Sequence, residues 1–141
     1  MKTLHALCIA IVVVLSPAPL YSQEKSDSTQ RERGSESVAV KELDEFHELL
    51  HPLVHDAYPN KDFAAIRKAI PGLKRSAKLV RAAVLPKELA PAKHNYKKES
   101  RKLLKQLTEL DKRKNKLSDE ELGMKFMEMH DTFEELMGIV R

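Results

Sequence analysis

The chain has 141 residues, 25 Lys and Arg against 21 Asp and Glu for a formal net charge of +4, one cysteine and no tryptophan. A single cysteine excludes a disulfide framework, and low glycine with few β-branched runs excludes an all-β design. No apolar run approaches the ~20 residues that a membrane-spanning helix needs.

Lys2, the apolar run Leu4 to Leu15 and the segment Ser-Pro-Ala-Pro-Leu-Tyr-Ser have the charged start, short apolar centre and small-residue exit of a secretory signal peptide, residues 1–22, with cleavage near Ser22. Cys8 lies inside the apolar run, the wrong order for a lipid-attachment cysteine, so the expected mature chain has no cysteine and is exported, periplasmic or secreted. Residues 23–37, rich in Ser, Glu and Arg without apolar periodicity, read as a flexible leader. Residues 38–141 are then one helical domain.

Val40, Leu43, Phe46, His47, Leu50, Val54 and Ala57 share one stripe at ~100° per residue, predicting a first helix over 38–58 that Pro59-Asn60 ends. Asn60 or Asp62 caps a second helix with the stripe Phe63, Ile66, Ile70, Leu73, Ala77, Val80 and Val84; Pro71-Gly72 kinks it and Leu85-Pro86 ends it. A third helix carries Leu89, Tyr96, Leu103, Leu107 and Leu110, and the polar run 112–116 closes it. Ser118-Asp-Glu-Glu121 has capping-box spacing and opens a fourth stripe of Leu122, Phe126, Met129, Phe133, Leu136 and Val140. Four such stripes joined by short loops bury most simply as an all-α, antiparallel up-down-up-down four-helix bundle. In that bundle residues of the outer helices whose numbers sum to roughly 178 lie level, which places His47 beside Asp131 and near His130.

Charge is divided by helix. Residues 61–116 hold eighteen Lys and Arg against five Asp and Glu, net +13, whereas 36–56 and 119–141 are each −5. Opposite faces that attract and set helix pairing account for this division; so does an acidic pair that favours a bound cation beside a basic pair that meets an anionic surface or polymer.

The candidate site residues are histidines. His47, His51 and His55 recur every four residues, a spacing that stacks side chains on one helix face, and neutral imidazoles so placed can converge on one ion. His47 centres the apolar stripe, where it serves as a hydrogen-bonded core residue or a ligand. His51 sits on its flank. His55 steps toward solvent unless Pro52, which lacks a backbone donor, opens a bulge that rotates it inward. On the fourth helix His130 has Glu134 at i+4, a ligand pair, a ring-orienting pair or a surface ion pair. His94 falls opposite the apolar stripe and is excluded. Met124, Met127, Met129 and Met137 would suit copper(I) but at helical spacing read as core filler.

The run Phe126-Met-Glu-Met129-His130-Asp-Thr-Phe133 resembles the end of the fourth helix of the cytochrome c′ family, where Cys-x-x-Cys-His binds haem. Phe126 and Met129 stand at the cysteine places, so covalent attachment is excluded; the resemblance to the non-covalent cytochrome b562 type implies His130 as an iron ligand, with His47 replacing the methionine of the first helix. The small exported His- and Met-bearing chain also resembles stress chaperones and metal sensors of the Spy and CnrX type, without their Leu-Thr-x-x-Gln signature.

These observations lead to an exported, non-enzymatic protein that holds a transition-metal ion (zinc, copper or nickel) through His47, His51 and His130, with His55 and Glu134 as further ligands. The alternatives are haem between His47 and His130, or a chaperone or interaction module acting on an anionic protein or surface through the basic middle helices, with peripheral membrane contact and a homodimer both open. No nucleophile triad or phosphate loop points to an enzyme, and Tyr96 as the sole aromatic interleaved with the cations past Phe63 argues against nucleic acid.

Overall fold

The computed structural model describes residues 40–141. The expected signal peptide (1–22), the expected leader (23–37) and the first two residues of the expected bundle lie outside them. The described residues form four α-helices and no strand: α1 Lys41–Pro52, α2 Phe63–Ala82, α3 Lys93–Arg113 and α4 Asp119–Val140, with a π-helical turn Leu53–Ala57 after α1 and a 3-10 turn Lys87–Ala92 before α3.

Each boundary has a local cause. Pro52 has no N–H to give to a preceding carbonyl, and the chain responds by widening: Tyr58 N–H donates to Leu53 O at 2.9 Å and Asp62 N–H to Ala57 O at 2.8 Å, both five residues back. The turn closes with Lys61 in left-handed backbone (φ 55°), after which Asp62 caps α2 by accepting from Ala65 N–H at 2.9 Å. Pro71 sits inside α2 without ending it. Ser118 opens α4 with a reciprocal capping box: its hydroxyl accepts from Glu121 N–H at 3.2 Å, and its own N–H donates to the Glu121 carboxylate at 2.9 Å.

The four stripes meet in one core. Leu43, Phe46 and Leu50 of α1, Ile66, Ile70, Leu73, Ala77 and Val80 of α2, Tyr96, Leu103, Leu107 and Leu110 of α3, and all six expected positions of α4 are buried. Val54 and Ala57 after α1 and Phe63 at the start of α2 are only partly buried, and two further expectations fail around the α2–α3 connection. α2 stops at Ala82 because the backbone turns extended at Ala83 (ψ 139°), so Val84 leaves the stripe and is 91% exposed. Leu89 is part of the 3-10 turn rather than α3 and is only partly buried.

Cross-helix contacts set the register. Phe46 and Phe133 rings lie 5.0 Å apart, and the Tyr96 hydroxyl donates to Val80 O at 2.8 Å. Burial, then the nearby Glu42 carboxylate, holds the Tyr96 phenol well above its ordinary pKa, so it remains a donor at any physiological pH. Arg67 of α2 bonds to the α3–α4 connection, Lys74 of α2 pairs with Asp111 of α3, and the Gln106 amide of α3 donates to Glu128 O of α4 at 3.2 Å.

Acid sensitivity follows from two carboxylates. Hydrogen bonds from Lys114 and Lys74 hold Asp111 below its ordinary 3.8, and hydrogen bonds with the Ser118 backbone and side chain hold Glu121 below 4.5. A pKa depressed on folding means stability that is complete above the unfolded value and lost as pH falls through the lower folded one. Urea midpoints should therefore be flat from neutral pH to about pH 5 and fall below about pH 4. Asp111→Asn should reduce the fall, and an unchanged acid limb in that variant would show that Asp111 is not its source.

Candidate functional site

Two groups of side chains stand apart from the core: the histidine row on α1 and the cationic faces of α2 and α3.

Along α1 the rings of His47 and His51 lie 5.6 Å apart edge to face, and those of His51 and His55 lie 4.3 Å apart and tilted by 38°. The close second spacing comes from the π-helical turn. More residues per turn mean less rotation per residue, which brings position 55 back over position 51. The bulge at Pro52 thus forms, but it aligns His55 with His51 and leaves both exposed rather than turning His55 inward. His47 is half-buried, its ring stacked on Phe133 of α4 at 5.8 Å. The expected neighbour was Asp131; the observed contact is two residues further along, within one helical turn.

His130, midway along α4, makes no hydrogen bond among the described residues. Its Nε2 is 3.8 Å from the Glu134 carboxylate and its Nδ1 3.8 Å from that of Asp131, both beyond bonding distance, and Nδ1 is buried without a partner. Among the described residues no three His, Cys, Asp or Glu side chains form a group that could hold a metal ion. The set His47, His51, His55, His130 and Glu134 is therefore not gathered into one ligand cage: α1 presents a row along its axis, and His130 with Glu134 forms a separate pair on α4. The methionines divide by depth. Met129 is core, Met127 and Met137 pack against it, and Met124 is exposed, which fits packing better than a thioether site. His94 is exposed, as expected.

The cations of 61–116 are largely uncompensated. Six of the eighteen, Arg67, Lys74, Lys98, Lys102, Lys112 and Lys114, pair with carboxylates. The other twelve have no carboxylate within ion-pair reach among the described residues. Only Arg67–Asp119 and Lys102–Glu135 join the middle helices to acidic α4, and no described ion pair joins them to α1. Attraction between oppositely charged helices thus uses a small part of the available charge. What remains runs along both α2 (Lys68, Arg75, Lys78 and Arg81) and α3 (Lys93, Lys97, Arg101, Lys105 and Arg113).

Besides a concavity beside Lys68 and Arg75 of α2, two lie in this basic region. One, of about 530 Å³ at the α2–α3 connection, is lined by Arg81, Val84, Lys87, Lys93, Tyr96 and Lys97. The other, of about 360 Å³ between α3 and α4, is lined by Lys102, Lys105, Gln106, Arg113, Lys125 and Glu128, among others. Sequence periodicity missed the first because it assigned Val84 to the apolar stripe. The available signal was the composition of 81–97, where four cations flank an Ala-Ala-Val-Leu-Pro run and Glu88 is the sole carboxylate.

No protein-family model matches the chain, and no curated protein or solved structure matches it significantly, so the cytochrome-like and Spy-like resemblances rest on the quoted residues alone.

Proposed function

We propose that this chain is an exported, non-enzymatic interaction module, an antiparallel up-down-up-down helical bundle that binds anionic surfaces through the cationic faces of α2 and α3. The observation that carries this reading is the twelve Lys and Arg between 61 and 116 without a carboxylate partner among the described residues. Uncompensated like charge on two neighbouring helices of a small domain opposes folding, and an anionic partner relieves that repulsion while releasing its own counterions. Alternating pairs such as Lys74–Asp111, Tyr96–Val80 and Lys102–Glu135 support the antiparallel arrangement.

The 4.3 Å approach of His51 and His55 favours a second reading, a zinc, copper or nickel ion held by these two imidazoles. Glu48 and Asp56 lie nearby in the sequence and add negative charge. Two ligands are half of a tetrahedral site, leaving the other positions to water or to a second copy of the chain. A haem between His47 and His130 is less favoured, because its entry would displace the fully buried Phe46 and Phe133 rings that fill the α1–α4 contact.

One experiment separates these readings. Binding to fluorescent polyphosphate is measured at low and moderate salt for the natural chain, for the reversal Lys97→Glu/Arg101→Glu/Lys105→Glu, and for the replacement of His47, His51, His55 and His130 by alanine. The expected result is salt-sensitive binding that the charge reversal lowers at least tenfold and the histidine replacement leaves unchanged. Binding that ignores salt, or that requires the histidines, would end the interaction reading. Zinc titration of the same samples checks the second reading, which fails if the histidine replacement takes up as much zinc as the natural chain.

A further inference from the structure

We propose that the α2–α3 end of the molecule docks peripherally on an anionic lipid bilayer, with Val84 entering the interface and Arg81, Lys87, Lys93 and Lys97 meeting lipid phosphates. This rests on the interaction reading above and names its surface.

The apolar contribution comes from an unusual exposure. Val84 is 91% exposed in a connection where Ala83 (φ −56°, ψ 139°) and Pro86 (φ −53°, ψ 155°) both take extended, polyproline-like backbone, and Pro86 has a fixed ring. The 3-10 turn begins immediately after it and carries a second proline, Pro91, so the projecting residue sits between two regular elements. Leu79, near the end of α2, is 55% exposed as well.

The electrostatic contribution surrounds it. Arg81, Lys87, Lys93 and Lys97 line the same concavity as Val84 and Leu85, and none of the four has an ion-pair partner among the described residues. Its wall is apolar, with Ala82, Ala83, Ala90 and the Tyr96 ring, and the Tyr96 hydroxyl is already committed to Val80 O. A soluble polyanion would satisfy the cations and leave Val84 in water. An anionic bilayer satisfies both, because phosphates and the hydrocarbon boundary lie within a few ångströms of each other in depth. No described helix is long and apolar enough to cross a membrane, so the contact is peripheral. Weak insertion and weak attraction are each insufficient for stable attachment, and their combination explains why both occur at one end of the fold.

The test is co-sedimentation of the exported chain, residues 23–141, with vesicles of pure phosphatidylcholine and with vesicles containing phosphatidylglycerol, alongside polyphosphate binding. Binding is expected only to the anionic vesicles. Val84→Ser should weaken it roughly tenfold, the loss of about one buried valine, with polyphosphate binding unchanged. Val84→Trp should strengthen it, since indole favours the interface. Lys87→Glu/Lys93→Glu should abolish it. Val84 is exposed, so neither replacement disturbs the core. Polyphosphate binding without vesicle binding, or vesicle binding indifferent to both Val84 variants, would overturn the bilayer assignment while leaving the interaction reading intact. Binding to neither probe would end both.

Discussion

Phe133→Ala should cost about 3–5 kcal/mol, a large share of the ~5–15 kcal/mol that holds a domain of this size folded. The ring is fully buried and fills the contact between α1 and α4, 5.0 Å from Phe46 and stacked at 5.8 Å under His47. Removing it loses apolar burial and leaves a void that neighbouring helices cannot fully close. A lower urea midpoint with an unchanged slope is the expected signature, together with a shift of the His47 ring proton resonances as the stacked neighbour disappears. Phe133→Leu retains most of the volume and should cost about 1–2 kcal/mol. Met124→Ala on the exposed side of the same helix, where the residue is 61% accessible, should stay within about 0.5 kcal/mol. A cost below about 1 kcal/mol for Phe133→Ala would mean that α1 does not pack against α4 as described.

Arg67→Ala is the second large effect, about 2–3 kcal/mol. One guanidinium ties α2 to the α3–α4 connection at three points: Nε donates to Lys114 O at 2.8 Å, Nη2 to Leu117 O at 2.8 Å, and Nη1 to the Asp119 carboxylate. Lys114 follows the last residue of α3 and Ser118 caps α4, so both helix ends depend on this fork. Truncation leaves two part-buried carbonyls without their donor. The Asp119 partner is exposed and contributes little by itself. Arg67→Lys should recover less than half of the loss, because a single ammonium cannot span acceptors that the planar fork reaches together. Hydrogen exchange at residues 115–122 should accelerate well before the core opens. If Arg67→Lys matched the natural protein, the fork geometry would be irrelevant and charge alone would matter.

Sequence by itself determined the helices, because helix formation is set by signals within one or two turns. The stripes of α2, α3 and α4 are read from residues three and four apart, the Ser118–Glu121 capping box from a four-residue spacing, and the disturbance after α1 from Pro52. Even the level of His47 against α4 followed to within a turn, since short connections between antiparallel helices leave little freedom. Tertiary structure decided the rest. Arg67 carries no local mark of its role, because its acceptors lie 47 to 52 residues away. Val84 continues the apolar period yet faces water, because the backbone leaves the helix at Ala83, and periodicity has no term for that departure. The histidines were legible as a row but not as a site: four-residue spacing aligns side chains along a helix, whereas a ligand cage requires convergence from different helices, which only packing supplies. Net charge per segment was countable from composition, but which cations find carboxylates depends on the facing helix, and most of those on α2 and α3 find none among the described residues.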